Sequence, residues 1–106
     1  LATKVSFSNE MRQICEKSDI DYDKVVEYGL YDTRIGKSHF SSPGPDGSYG
    51  FGGHCFPKDI NALMFLAREK GIDPSVLQSV WDKNLEVRAP EQRDWEAMSG
   101  RAVSED

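Results

Sequence analysis

An all-α fold, four principal helices with one long Gly/Pro-rich loop, is predicted by three observations. Apolar residues recur at helical spacing in four separate stretches. Five of the nine glycines and two of the five prolines fall between Pro43 and Gly53, a density that neither helix nor strand tolerates. No convincing strand pattern occurs between them.

Each element has its own signals. Leu1 to Lys17 places Leu1, Val5, Ser8, Met11, Ile14 and Cys15 at helical spacing. No capping residue precedes it, so the chain is expected to enter partway along a helix. Asp21 is suited to cap a second helix through Val25, Val26 and Tyr28 toward Leu30, with Gly29 inside it or at its end. Lys37 to His54 then reads as a loop. Phe40, Tyr49, Phe51 and Phe56 argue that it is ordered, since a purely solvated linker seldom carries so many aromatics. Phe40 is expected to pack beneath it. Pro57 suits the first turn of a third helix, striped by Ile60, Leu63, Met64 and Ala67 and stopped at Gly71. Asp73 and Pro74 are expected to cap and open a fourth, with Leu77, Val80, Trp81, Asn84, Leu85 and Arg88 on one face and Pro90 at its end. The tail carries Trp95 and Met98, a short helix that finishes in polar GRAVSED.

The 106 residues make one domain. A formal charge of −5 argues against a nucleic-acid or anionic-membrane partner, both of which need a basic face. The longest apolar run, Ala62 to Ala67, is far too short for a membrane span, and no signal peptide is visible. Cys15 and Cys55 make no disulfide framework, so a reduced, cytoplasmic chain is expected. A domain this small leaves about a third of its unfolded-chain surface exposed, so oligomer contacts would help it. The start at Leu1 rather than Met is expected to be a cut within something longer.

Cys55 is the residue best placed for chemistry. Phe56 precedes a proline and is pushed away from helical geometry, so the third helix is expected to begin at Pro57 with Cys55 just outside it. Free amides and partial positive charge at a helix N-terminus favour a thiolate. Gly52 and Gly53 permit close approach of a ligand, and Asp59 lies within the first turn. A nucleophile, a carboxylate and a glycine-lined approach make a covalent site. On residue types alone, a buried cysteine after a tight turn, with Asp59 as a simple helix cap, fits as well.

The run Gly52-Gly53-His54-Cys55-Phe56-Pro57-Lys58-Asp59 resembles the GG-x-C-[FL]-x-KD signature of the UDP-glucose/GDP-mannose dehydrogenase family. Asp32-Thr33-Arg34-Ile35-Gly36 looks like that family's D-x-R-I-G element, and LATKVSFSNEMRQICEK is similar to the second part of its long central helix. The resemblance runs from residue 1 to about 88. It implies a helical central domain similar to the C-terminal domain of 6-phosphogluconate dehydrogenase, one that usually forms the dimer interface.

The resemblance also implies a mechanism. The family oxidises the C6 alcohol of a nucleotide sugar, UDP-glucose or similar, to a carboxylate with two NAD, through the aldehyde. Cys55 would form a thiohemiacetal and then a thioester, and Asp59 would position or activate the hydrolytic water. Arg34 would reach the sugar in the neighbouring subunit's site, the alternative being an ordinary surface arginine. Phe51 and Gly52 would line the sugar pocket, with Lys58 and Gly53 in support.

Other residues are declined. No zinc-like spacing accompanies His54, so no metal is expected. Cys15 reads as core, and Trp81 as core or dimer interface. Gly50-Phe51-Gly52 lacks the strand and the third glycine of a dinucleotide loop.

The chain also departs from the family's pattern. No βαβ unit is present to bind NAD, which is therefore assigned mainly to a domain outside this chain. The family's catalytic lysine and asparagine would fall just before Leu1, and Lys4 does not replace them. The nucleotide-binding domain that usually follows is absent after Asp106, and Pro43 to Tyr49 extends the loop. The expected fragment is therefore inactive alone. A non-catalytic dimerisation or binding module that retains the loop is the alternative. An independent thiol enzyme lacks a base beyond His39 and His54.

Overall fold

The computed structural model describes residues 1–98 and is built of helices α1 (Ala2–Lys17), α2 (Tyr22–Gly29), α3 (Cys55–Glu69) and α4 (Ser75–Val87). Two short 3₁₀ turns follow, Pro90–Gln92 and Asp94–Met98, and no strand occurs among the described residues. The polar GRAVSED end lies outside them. The all-α class and the long connection between the second and third helices are as the sequence predicts.

The helix ends follow local chemistry. The Asp21 carboxylate accepts a hydrogen bond from the Asp23 amide at 3.0 Å and caps α2. Helix α1 closes with the Ile20 amide donating back to the Cys15 carbonyl at 2.9 Å, and α3 closes the same way from Ile72 to Ala67 at 2.8 Å. Gly71 therefore stops α3 as expected, with φ 74°.

Two starts differ from expectation. Helix α3 begins at Cys55, not Pro57, and the Lys58 amide donates to the His54 carbonyl at 3.1 Å. The pre-proline bias on Phe56 is overridden because Pro57 is only the third helical residue, where an amide would have no intrahelical partner anyway. Asp73 makes no cap on α4. Pro74 occupies the cap position itself, and its carbonyl accepts from the Gln78 amide at 2.8 Å.

Helix α4 packs against both α1 and α3, and α2 packs on α1. Its whole expected face is turned inward: Val80, Trp81, Asn84 and Arg88 are buried, with Leu77 and Leu85 half-buried. Phe51, Ile60, Met64, Val80, Trp81 and Trp95 form the core. The Trp81 and Trp95 ring centroids lie 5.2 Å apart, a pairing that contributes about 0.5–1.5 kcal/mol beyond its buried area. That contact draws the tail back over α4. Trp81 is thus core, as is Cys15.

Two stripes are rotated from expectation. On α3, Leu63 is exposed while Ile60 and Met64 point inward. On α1, Leu1 and Ile14 are exposed, and the buried face consists of Ser6, Ser8, Asn9, Arg12 and Cys15. The cause is chemical: this face meets a loop full of backbone donors and acceptors, so polar side chains are satisfied there. Ser6 on the same face bonds to α4 instead, its hydroxyl donating to the Val80 carbonyl at 2.8 Å.

Candidate functional site around Cys55

The loop before α3 is held from both sides by buried polar side chains. From α1, the Asn9 side-chain oxygen accepts from the Ser42 hydroxyl at 3.1 Å and the Gly50 amide at 3.3 Å. Arg12 donates to the Ser42 hydroxyl at 2.9 Å and to Glu16 at 2.7 Å, and its guanidinium lies 3.9 Å from the centroid of the Tyr49 ring. From α4, Asn84 brackets Phe51 completely. Its oxygen accepts from the Phe51 amide at 2.7 Å, and its nitrogen donates to the Phe51 carbonyl at 3.0 Å.

Arg88 continues this clamp. It donates to the Gln92 carbonyl at 2.9 Å and the Tyr49 carbonyl at 3.3 Å, and pairs with Asp46 at 2.9 Å. Partial burial raises the Asp46 carboxyl, but the Ser48 amide and the Arg88 guanidinium outweigh it and hold the group below its ordinary value. The Pro43–Tyr49 extension is therefore tied to α4 through Asp46 and Tyr49.

Asp94, from the tail, accepts from the Gly53 amide at 2.7 Å. Gly52 lies directly beneath this group. An added Cβ would stand 2.6 Å from the Asp94 carboxylate and collide with the Arg88 guanidinium. Gly53 is fixed by a different need, a φ of 75° that L side chains rarely adopt.

Cys55 emerges from this clamped loop as the first residue of α3, exposed and outside any disulfide. Its amide is one of the four that a helix leaves free at this end. Asp59 is exposed one helical turn later, so it shares the Cys55 side of α3. Lys58 pairs with Asp59 at 3.4 Å. A groove beside them is lined by Asp59, Phe56 and Ile60 together with Leu1, Ala2 and Thr3, which brings the start of α1 alongside the site. On the other side of the loop, a cleft of ≈ 640 Å³ is bordered by Ser38, His39, Ser41, Gly53, Phe56 and Asp94.

The structure thus gathers Cys55, Asp59, Lys58, Gly52 and Gly53 at one end of α3. Phe51 borders the cleft, but its ring sits in the core, 6.0 Å from Phe56 and 6.1 Å from Trp81. Arg34 lies elsewhere. Its side chain is 88% exposed and forms a two-point pair with Asp32, at 3.0 and 2.7 Å. Hydrogen bonds from Arg34 lower the Asp32 pKa, and the same pairing raises that of Arg34. Lys4 anchors this turn, donating to the Gly36 carbonyl at 2.7 Å and standing 4.3 Å from the centroid of the Phe40 ring. Phe40 consequently lies against α1 and α2 and not beneath the loop as expected.

Asn9, Arg12 and Asp94 escape the sequence reading, and Asn84 and Arg88 enter it only as positions on a helix face. A usable signal exists for two of them, Asn9 and Arg12. Polar residues at Ser8, Asn9 and Arg12 share one face of a helix, and such a face invites the question of which backbone it satisfies. Nothing local marks Asp94.

The described residues contain no strand to lead into the glycine turn and helix that cradle a dinucleotide's pyrophosphate, and Cys55 stands where a third glycine would be needed. The NAD-binding unit does not fit within them. No group of three or more metal-ligating side chains occurs among them either, and no helix is long and apolar enough to cross a membrane.

Comparison with known proteins adds independent findings. The family described as UDP-glucose/GDP-mannose dehydrogenase family, central domain, matches residues 1–86. UDP-glucose 6-dehydrogenase YwqF of Bacillus subtilis is 48% identical over 90 residues, covering 84% of this chain and 19% of the relative. UDP-glucose 6-dehydrogenase of Pseudomonas aeruginosa is 42% identical over 84 residues, 79% of this chain and 17% of the relative. The enzyme of the same name from Rickettsia bellii is 43% identical over 86 residues, 81% of this chain and 19% of the relative. The chain thus spans less than a fifth of the length of these relatives. No solved structure matches.

Proposed function

Because this chain belongs to the UDP-glucose/GDP-mannose dehydrogenase family, we propose that it is the central part of an enzyme that oxidises the C6 alcohol of UDP-glucose, or a similar nucleotide sugar, to a carboxylate. NAD, bound outside these residues, supplies the hydride acceptor for both oxidation stages. What this chain contributes is the covalent half of the site. The observation that carries the reading is the exposed Cys55 thiol in the first turn of α3, at the end of a loop fixed by the buried side chains of Asn9 and Asn84.

The chemistry follows from what Cys55 is placed to do. The aldehyde reached after the first oxidation is attacked by the sulfur, forming a C–S bond and a thiohemiacetal. Loss of hydride from that carbon, to the acceptor, and of the hydroxyl proton, to solvent, leaves a thioester on Cys55. Water then adds to the acyl carbon, the C–S bond breaks, and the carboxylate departs with the thiol restored. Asp59 orients the attacking water and takes its proton. Lys58 holds the Asp59 carboxylate from beside it, at 3.4 Å. Gly52 and Gly53 keep the approach to the sulfur free of side chains, and Phe51 backs the cleft wall. Arg34, projecting outward from its Asp32 pair, is assigned to the sugar in a neighbouring subunit's site.

A homodimer accords with that assignment and with the apolar residues left exposed on α1 and α2, including Phe7, Ile14, Val25 and Tyr28. The chain taken alone is expected to be inactive, and its two cysteines, neither in a disulfide, accord with a cytoplasmic location. The test is Cys55→Ser in the intact enzyme. Acid formation from UDP-glucose should be abolished, and normal turnover by that variant would refute the role.

A further inference from the structure

We propose that Asp94 is a positioning residue for the Cys55 site, acting through the Gly53 amide and held in place by Arg88. The inference rests on the reading of Cys55 as a nucleophile. It concerns a residue beyond the 1–86 stretch that the family match covers.

Gly53 is the last glycine before α3 and takes a φ of 75°, so it has wide conformational freedom to lose. Only His54 separates it from Cys55. The Asp94 carboxylate accepts its amide at 2.7 Å and so pins the turn from which the helix starts. Asp94 is not free to wander. Its immediate neighbour Trp95 is 0% exposed and packs on Trp81, and the buried Arg88 guanidinium lies 3.8 Å from the carboxylate. Arg88 meanwhile holds the Tyr49 carbonyl and Asp46 on the upstream side of the glycines. One buried arginine therefore ties together the extension of the loop, the end of α4 and the tail.

The consequence falls on the first turn of α3. With Gly53 pinned, the free amides around Cys55 have a fixed direction relative to the sulfur. With Gly53 released, that turn frays, and the sulfur loses its fixed placement against those amides.

Asp94→Ala, Asp94→Asn and wild type would be compared in the full chain. The readouts are the rate of iodoacetamide alkylation at Cys55 near neutral pH, resolved by peptide mass spectrometry, and the exchange rate of the Gly53 amide. The buried Cys15 serves as the reporter of general opening. Asp94→Ala should slow Cys55 alkylation by about fivefold and accelerate Gly53 exchange, with Cys15 unchanged. Asp94→Asn keeps an acceptor oxygen for the Gly53 amide and should restore most of both. An unchanged Cys55 rate in Asp94→Ala overturns the proposal. So does an equal loss in Asp94→Asn, or a parallel rise at Cys15, which would mean loosening of the whole fold. These readouts need no turnover, so failure of the dehydrogenase reading would show separately, as acid formation by Cys55→Ser.

Discussion

Replacing Asn84, a polar residue in the last turn of α4, by alanine should be among the most damaging single changes in this chain. The residue is 0% exposed, and both ends of its amide are used on one loop residue, the Phe51 amide at 2.7 Å and the Phe51 carbonyl at 3.0 Å. Truncation would leave a buried donor and a buried acceptor with nothing to bond. Each orphaned group costs about 1–3 kcal/mol, so the two together should cost about 2–6 kcal/mol. For a domain of this size that corresponds to a fall in melting temperature of about 10 °C or more. Asn84→Asp should not rescue it, because the carboxylate keeps the acceptor, loses the donor and buries a charge. Urea unfolding with tryptophan fluorescence reads the effect through Trp81, and amide exchange at Phe51 reports whether the loop has come loose. A loss of less than about 0.5 kcal/mol in Asn84→Ala, with Phe51 still protected, would refute the claim that this bracket orders the loop.

Two glycines of opposite circumstance give a second test. Gly52→Ala should destabilise by at least about 2 kcal/mol, because its Cβ would meet Arg88 and Asp94. Gly29→Ala, at the end of α2 with nothing within 4 Å, should instead gain about 0.5–1 kcal/mol. Equal unfolding midpoints for the two variants would contradict the packing described. Tyr22 predicts a pH effect. Burial, above the other influences, raises its pKa from the ordinary 10.0, and its hydroxyl donates to the Phe40 carbonyl at 2.6 Å. The unfolded phenol ionises first, so this stability is fully present below pH 10 and is lost as pH rises through the higher folded value. Unfolding midpoints measured across that range should fall in wild type and flatten in Tyr22→Phe.

The helices were legible because their signals are local. Asp21 caps α2, Gly71 stops α3, and the inward face of α4 carries its expected residues. Where the sequence misled, a local rule met a tertiary contact or a neighbouring rule. Pro57 marks the start of α3 only to within two residues, since an amide is dispensable at any of the first helical positions. Leu1 and Ile14 looked like core on α1, yet the loop demanded hydrogen-bonding side chains on that helix, and Asn9 and Arg12 took the buried places. Cys55 and its glycines stood out from the sequence because they cluster within a few residues. The side chains that fix them come from α1, α4 and the tail, up to 41 positions away, and no local pattern announces such partners.

The most direct test of Cys55 as the covalent residue uses Asp59→Asn in the intact enzyme, mixed with UDP-glucose and NAD and followed by peptide mass spectrometry. Slowed hydrolysis should let the acyl group accumulate, and the peptide holding Cys55 should gain the mass of the uridine diphosphate-linked acyl sugar. Hydroxylamine should remove it, as it does a thioester. Acid production at the wild-type rate with Cys55 unmodified, or an adduct on another residue, would contradict the account.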